Sequence, residues 1–447
     1  MELSLKHLGK ATKNAVCTAA KKNDIPILKL LLEYEGQVSE CALNKAIDNN
    51  HTEMVELLLE KGAKIGITSI KNAIGLQNPQ MLQLLVNKNK AAAACLLHEG
   101  NEQQKNTLLN INFKYNAEDF DDNARMKCAL SLRKSQQVQD LFQQGVAIPG
   151  TLVGITHILG EWSSNILQAA LHIASLNDEM YVLPISNEQR SDINFLQRFD
   201  GLINPGAGDS FPRDIEFGIE QFSMNDTEKM YQTALEVSNK TGAPYLGICS
   251  GSQHLILNKG GKLKEVQGYK GGNHKATFIE GTFSHFSALS QIEQENTLKN
   301  CEFAKISLKI DTAHRYAGVK DQLAGVKLGA VSEEGVVQST ASVTGQLGIQ
   351  FHPENFYNDN YRSTLLINNF FERINEYAKL MSYAQKHGLP VEKAQVNFQQ
   401  AYQMLNHKLE ECVSHPQSQA DFYPEFNNTP AVHFLDEFYK IMFNFEG

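Results

Sequence analysis

The chain has 447 residues, a length that predicts two or three domains, and its 42% hydrophobic and 20% charged content is that of an ordinary soluble globular protein. A net charge of −9 argues against a nucleic-acid partner and against an anionic membrane surface. No run of about 18 apolar residues is present to span a bilayer, and the opening stretch has no apolar core of a secretory signal. Seven cysteines, at 17, 41, 95, 128, 249, 301 and 412, form no CxxC pair. They read as the reduced thiols of a cytoplasmic protein, and all but Cys249 as small core hydrophobes.

The N-terminal third repeats. Segments opening at Cys17, Leu43 and Ile70 align, 26 and then 27 residues apart. Each carries a small residue (Ala20, Ala46, Ala73) in a first helix, an Asn turn, and a second helix with an apolar face. Ala129, Leu141 and Gly145 place Cys128–Gly145 on the same template, while Ala91–Asn123 reads either as a degenerate repeat or as a loop. The pattern NNHTEMVELLLEKGA (Asn49–Ala63) resembles ankyrin repeats, with a period shorter than their usual ~33 residues and the β-turn finger clipped. A helical-hairpin solenoid of another kind is the alternative. Such an array predicts a protein partner, or a cap that packs on its neighbour.

The middle alternates. Strands are predicted at Leu152–Thr156, Met180–Ile185, Gly201–Asn204 and Tyr245–Ile248, and helices at Ser163–Ser175, from the second strand to about Arg198, and at Asp226–Thr241. Alternation of this kind means a parallel sheet with helices on both faces. From Ala276 the chain turns strand-rich (ATFIEGTF, FAKISLKI, AGVKLGAV, GVVQST, LGIQF), then helical from Tyr361 to Tyr383 and over a C-terminal appendage broken near His415–Asn428. The domain reading is 1–147, 148–383 and 384–447.

Within APYLGICSGSQHL, an apolar strand ends at Cys249 between Gly247 and Gly251, and a helix follows. This is the pattern of a nucleophile elbow. About a hundred residues on, GIQFHPE ends a second apolar strand at His352, with Glu354 two residues later. A carboxylate on one imidazole nitrogen would fix the tautomer and leave the other nitrogen for a thiol. His254 reads as a helix-face residue. His274 and His285 have no metal-ligand partners at useful spacing, and neither metal nor cofactor is expected.

Together these two motifs resemble the class I glutamine amidotransferase superfamily, and within it the γ-glutamyl hydrolase branch, peptidase C26. The glycine-rich segment GLINPGAGDSFPRD (Gly201–Asp214) and IDTAHRYAG (Ile310–Gly318) resemble further segments of that branch. The likeness covers about half of the chain, from Leu152 to Tyr377. It implies a flavodoxin-like, mostly parallel α/β sheet and a Cys249–His352–Glu354 triad. The triad would cleave a γ-glutamyl or glutamine side-chain amide through a thioester. The oxyanion would be held by the N–H of Ser250 and the Gly206–Ala207 turn, and Gln253 and His314 would help seat the substrate. Departures fall in the pocket: Ser250 stands where many relatives carry Arg, Ala207 breaks a triple glycine, and Arg315 and Tyr316 replace His and Gln. Two alternatives stay open. One is a glutaminase subunit serving a synthase, the other a binding scaffold with an inert hydrolase domain. A solenoid joined to a hydrolase fits a protein substrate, and also resembles host-directed effectors of intracellular bacteria.

Overall fold

A computed structural model describes residues 11–76, 78–156, 161–177, 179–206, 211, 215–221, 223–266, 274–310, 314–357, 360–414, 438 and 440–443. It divides into two compact units, Met1–Gly150 with Ala170–Leu183, and Thr151–Ala169 with Pro184–Gly447.

In the first unit, helices pair in sequence: α1 (Lys13–Lys21) with α2 (Ile25–Glu33), α3 (Glu40–Asp48) with α4 (Thr52–Glu60), and α5 (Ile67–Gly75) with α6 (Pro79–Lys88). Then follow α7 (Lys90–Glu99) with α8 (Glu102–Asn110), and α9 (Asp122–Ser131) with α10 (Ser135–Gln143). The stretch after Ala91 thus holds a degenerate repeat. The reason for the regularity is local. Asn23 and Asn50 take left-handed backbone at φ 56°, which ends the first helix and turns the chain, and Arg133 does the same in the last pair. Asp24, Ser39, Asn78 and Asn89 each accept a hydrogen bond from a first-turn N–H of the helix that follows. Ala20, Ala46, Ala73 and Ala129 are fully buried, where a larger side chain would hold the helices apart. No strand is present among the described residues of 11–150, in keeping with clipped fingers.

The chain then lays down β1 (Thr151–Thr156), α11 (Glu161–Leu176), β2 (Met180–Ile185), the single turn α12 (Ile193–Leu196) and β3 (Gly201–Asn204). Next come α13 (Asp226–Thr241), β4 (Tyr245–Ile248), α14 (Ser250–Asn258), β5 (Leu263–Glu265), β6 (His274–Phe278), α15 (Phe283–Ser287) and α16 (Gln291–Asn300). The last elements are β7 (Ser307–Ile310), β8 (Tyr316–Gly318), β9 (Val326–Ser332), β10 (Val337–Ser342), β11 (Leu347–Ile349), α17 (Tyr361–Lys386) and α18 (Val391–Ser414). The helix expected up to Arg198 shrinks to α12, because turns occupy 187–191 ahead of it. The C-terminal break predicted near His415–Asn428 lies outside the described residues.

A nine-stranded sheet runs β2-β1-β3-β4-β11-β10-β9-β6-β7. β1, β3, β4 and β11 are parallel neighbours, and β10, β9, β6 and β7 continue antiparallel. Helices cover both faces. A Cβ on Gly348 of β11 would meet Ser252 of α14 and Thr340 of β10, whereas the next residue of β10, Ser339, donates to Ser284 of α15. Adjacent strand residues point to opposite faces. The long C-terminal helix α18 packs on this unit: Asn406 donates to the Val343 carbonyl and Tyr402 to Glu376 of α17.

The cysteines need correction. Cys95 is bonded to Cys128, and Cys301 to Cys412, so four of the seven are paired and Cys17, Cys41 and Cys249 are free. The partners stand 33 and 111 residues apart in sequence, and only the fold brings them together. Non-reducing peptide mapping after thiol alkylation is therefore expected to return three labelled cysteines and these two linked peptides. Replacing Cys412 by Ser should cost about 2–4 kcal/mol in the unfolding of the second unit. Seven labelled cysteines under non-reducing conditions would contradict the pairing.

Candidate active site

The parallel pairing of β4 with β11 aligns Ile248 with Ile349. The residues that follow each strand therefore leave the same end of the sheet side by side, where ligands bind in folds of this kind. Cys249 follows β4. Its backbone sits at φ 51°, ψ −109°, an unfavourable conformation for a side chain with a Cβ. Its N–H donates to the Ile349 carbonyl at 2.8 Å, and its carbonyl accepts from the N–H groups of Ser252 and Gln253. The turn is so tight that a Cβ on Gly247 would lie 2.4 Å from the Gly251 carbonyl oxygen, and one on Gly251 only 2.1 Å from that of Asn204. Both glycines are there for close approach of backbone to backbone.

His352 follows β11. Its Nδ1 is 2.9 Å from Glu354 Oε1, with both side chains buried, and its ring also hydrogen-bonds Cys249. Burial alone would lower the imidazole pKa. The hydrogen bonds to Cys249 and Glu354, with the charges they carry, outweigh it and raise the pKa to about 10. His352 thus stays protonated through neutral pH. A Cβ on Gly206 would stand 2.9 Å from His352 Cε1 and 3.7 Å from Cys249 Sγ, so the backbone at Gly206 lies directly against the pair.

The other expected site residues divide. Ser250 opens α14, so its N–H has no acceptor within the helix. Ala207 lies outside the described residues. Gln253 is fully buried and its Nε2 donates to the Tyr316 carbonyl at 2.7 Å and to Gln350. That amide holds the chain at β8. His314 is buried, and burial first, with the charge of His352 adding, lowers its pKa to about 3; a backbone hydrogen bond at Tyr316 opposes them. It is a neutral imidazole near the pair. His254 lies on α14, on a face that is fully buried, between the rings of Phe211 and Tyr231. Among the described residues, no group of three or more His, Cys, Asp or Glu is placed to hold a metal ion.

Several supporting residues carry no motif. Asn204, at the end of β3, accepts from Thr156 and donates to the Tyr231 carbonyl and the Tyr245 hydroxyl. Tyr245 in turn donates to the Gly251 carbonyl at 2.9 Å. Tyr231 donates to the Pro205 carbonyl beside Gly206. The one signal in the sequence was polarity itself: an Asn and a Tyr inside strands otherwise apolar enough to be buried.

Comparisons with known proteins bear on the family and the fold. Residues 163–354 match the family model of Peptidase C26, and residues 3–69 match the model of ankyrin repeats in three copies. An ankyrin repeat protein of Rickettsia bellii is 28% identical over 193 residues, a match spanning 40% of this chain and 30% of that protein. The fold also resembles the glutaminase domain of Trypanosoma brucei CTPS solved with bound acivicin (15% identity, TM-score 0.37, 51% of this chain and 94% of that one). A glutamine amidotransferase from Thermotoga maritima is similar at 14% identity and a TM-score of 0.31, covering 60% of this chain and 99% of that one. The Peptidase C26 match supports a hydrolase, and the repeats support a protein-binding role. Among the described residues, no helix is long and apolar enough to cross a membrane.

Two measurements test this geometry. In a histidine NMR titration, His352 should hold its proton to well above pH 8, and Cys249→Ala should move the midpoint down. A wild-type midpoint near the ordinary 6.5 would contradict the pairing. By linkage, a raised imidazole pKa contributes its full stability below about pH 6.5 and loses it as the pH rises through about 10. Separately, Gly251→Ala should destabilise by about 3 kcal/mol or more, because the clash is with backbone that cannot swing aside. Gly75→Ala, at the end of α5 with open space around it, should be neutral or stabilising by up to about 1 kcal/mol. Equal melting shifts would refute the crowding.

Proposed function

We propose that this protein is a cysteine-dependent hydrolase of γ-glutamyl amide or glutamine side-chain amide bonds. The observation that carries the reading is the buried contact of Cys249 with His352, itself bonded to Glu354, at the carboxyl ends of paired parallel strands.

The chemistry follows from the groups in place. The Cys249 thiolate attacks the δ-carbonyl carbon, forming a C–S bond. Charge moves onto the carbonyl oxygen, toward the N–H of Ser250 and the backbone at Gly206. As the C–N bond breaks, His352 gives its proton to the departing nitrogen. Glu354 steadies the imidazolium before that transfer and the ring orientation after it. A water then attacks the thioester and gives one proton to His352, the C–S bond breaks to return the thiolate, and the γ-carboxylic acid leaves and loses its proton to solvent. Tyr231, Asn204, Tyr245 and Gln253 take positioning roles, holding the Pro205–Gly206 backbone, the elbow and β8.

The match to ankyrin repeats supports a finer reading, in which the repeats dock a protein bearing the γ-glutamyl group or the glutamine. On the full-length chain, kcat/KM for such a protein should then exceed that for a free γ-glutamyl metabolite by at least about 10-fold. Equal values would remove the docking role.

The first test is intact-protein mass spectrometry with a glutamine-like diazo-ketone. One label per chain is expected on the wild type and none on Cys249→Ala. His352→Gln should slow turnover about 10³-fold, and Glu354→Gln at least about 10-fold. A folded wild-type protein that takes no label would overturn the reading.

A further inference from the structure

Three cysteines are free, and two of them meet. Cys17 of α1 and Cys41 of α3 are hydrogen-bonded to each other through their sulfurs. Each is 5% exposed, so the pair is buried yet not sealed from solvent. Cys17 Sγ is also 3.6 Å from the Oγ of Ser39, the residue that caps α3, and Ser175 of α11 hydrogen-bonds Cys41. α1 and α3 are the first helices of neighbouring pairs, and Ala20 and Ala46, buried on them, let the two approach closely.

The array bridges such helices elsewhere. α7 and α9 are also first helices of neighbouring pairs, and Cys95 and Cys128 on them are bonded. A sulfur bridge at this kind of junction is therefore compatible with the packing of the repeats. Cys17 and Cys41 stand at a junction of the same kind, in contact and unbonded. The two thiols differ in character. The hydrogen bond from Cys17 lowers the pKa of Cys41, with Ser175 and the charge of Lys45 helping and with burial and Asp48 opposing. The same bond, and then burial, keeps Cys17 protonated. One member is thus disposed to react, and the other stands beside it to resolve the product.

We propose that Cys17 and Cys41 form an oxidative modification site, a dithiol that a hydroperoxide converts into a disulfide joining the first two helix pairs. With hydrogen peroxide, the Cys41 thiolate attacks one oxygen and the O–O bond breaks. A sulfenic acid is left on Cys41, and the expelled hydroxide takes up a proton to become water. The Cys17 sulfur then attacks the sulfenic sulfur. An S–S bond forms, the S–O bond breaks, and the oxygen leaves with the Cys17 proton as a second water. The two thiols lose two electrons, and the peroxide gains them. This site shares no residue with the proposed hydrolase centre, so either reading can fail without the other.

Peptide mapping of the full-length protein, treated with hydrogen peroxide in native buffer, tests it. Cys249→Ala removes the third free thiol. In that variant, brief treatment followed by alkylation in denaturant should give a linked Cys17–Cys41 peptide and leave neither cysteine labelled, whereas both are labelled without peroxide. Cys17→Ser should leave a sulfenic acid on Cys41 that dimedone captures, and Cys41→Ser should leave Cys17 labelled. Amide exchange in α1 should slow at least about 10-fold once the linkage forms. Linkage that appears only after unfolding in urea overturns the proposal. So do two labelled cysteines in the folded, peroxide-treated protein, or a linkage that leaves exchange in α1 unchanged. Should either serine variant fail to fold, the mapping of the Cys249→Ala protein decides alone.

Discussion

The second unit depends on one pairing, that of β4 with β11. These strands are separated by about a hundred residues, and their parallel register sets Leu246 against Leu347 and Ile248 against Ile349, four buried side chains on one face, with Gly247 beside Gly348 on the other. A slip of one residue would turn Cys249 and His352 to opposite sides of the sheet. The hydrogen bond from the Cys249 N–H to the Ile349 carbonyl extends the ladder one step past the last strand residue of β4. The same ladder that builds the core thus aims the nucleophile at its base.

Strain at Cys249 is held by several independent supports. The backbone of Gly251 is pinned by the Tyr245 hydroxyl, Tyr245 by Asn204, and Asn204 by Thr156 and the Tyr231 carbonyl. Each donor and acceptor is buried, so no water competes for the bonds, and loss of any one leaves an unpaired group in the interior. This is a rigid frame under a tense turn, which is what pre-organised attack requires.

Legibility in the sequence followed the physics of each feature. The elbow was readable because only glycine tolerates the approach of Gly251 to Asn204, and the Cys-flanking glycines record that constraint. Glu354 was readable because it lies two residues from His352, so chain geometry alone brings them together. The repeats were readable where a leucine face contrasts with charge, and unreadable at α7, where Ala91–Ala94 give no contrast between faces. The cysteine pairs were illegible, because separations of 33 and 111 residues leave no local trace. Arg373 of α17 was illegible for another reason: a charged residue on an amphipathic helix reads as solvated, and only the fold encloses it between the rings of Phe283 and Tyr402, with the Gly345 carbonyl accepting from it.

The bond from Cys301 to Cys412 closes a covalent ring that contains β7 to β11, α17 and most of α18. His352 lies inside the ring, and Cys249 lies outside it on the N-terminal side. A protease that cuts the backbone once within the ring, for example in the 387–390 connection between α17 and α18, leaves one covalent molecule of almost unchanged mass. The two halves of the candidate pair stay joined in such a nicked protein, through the backbone or through sulfur. The ring therefore makes α18 a clasp: it tolerates a break in the chain that would cast off the final helix of an unbridged protein.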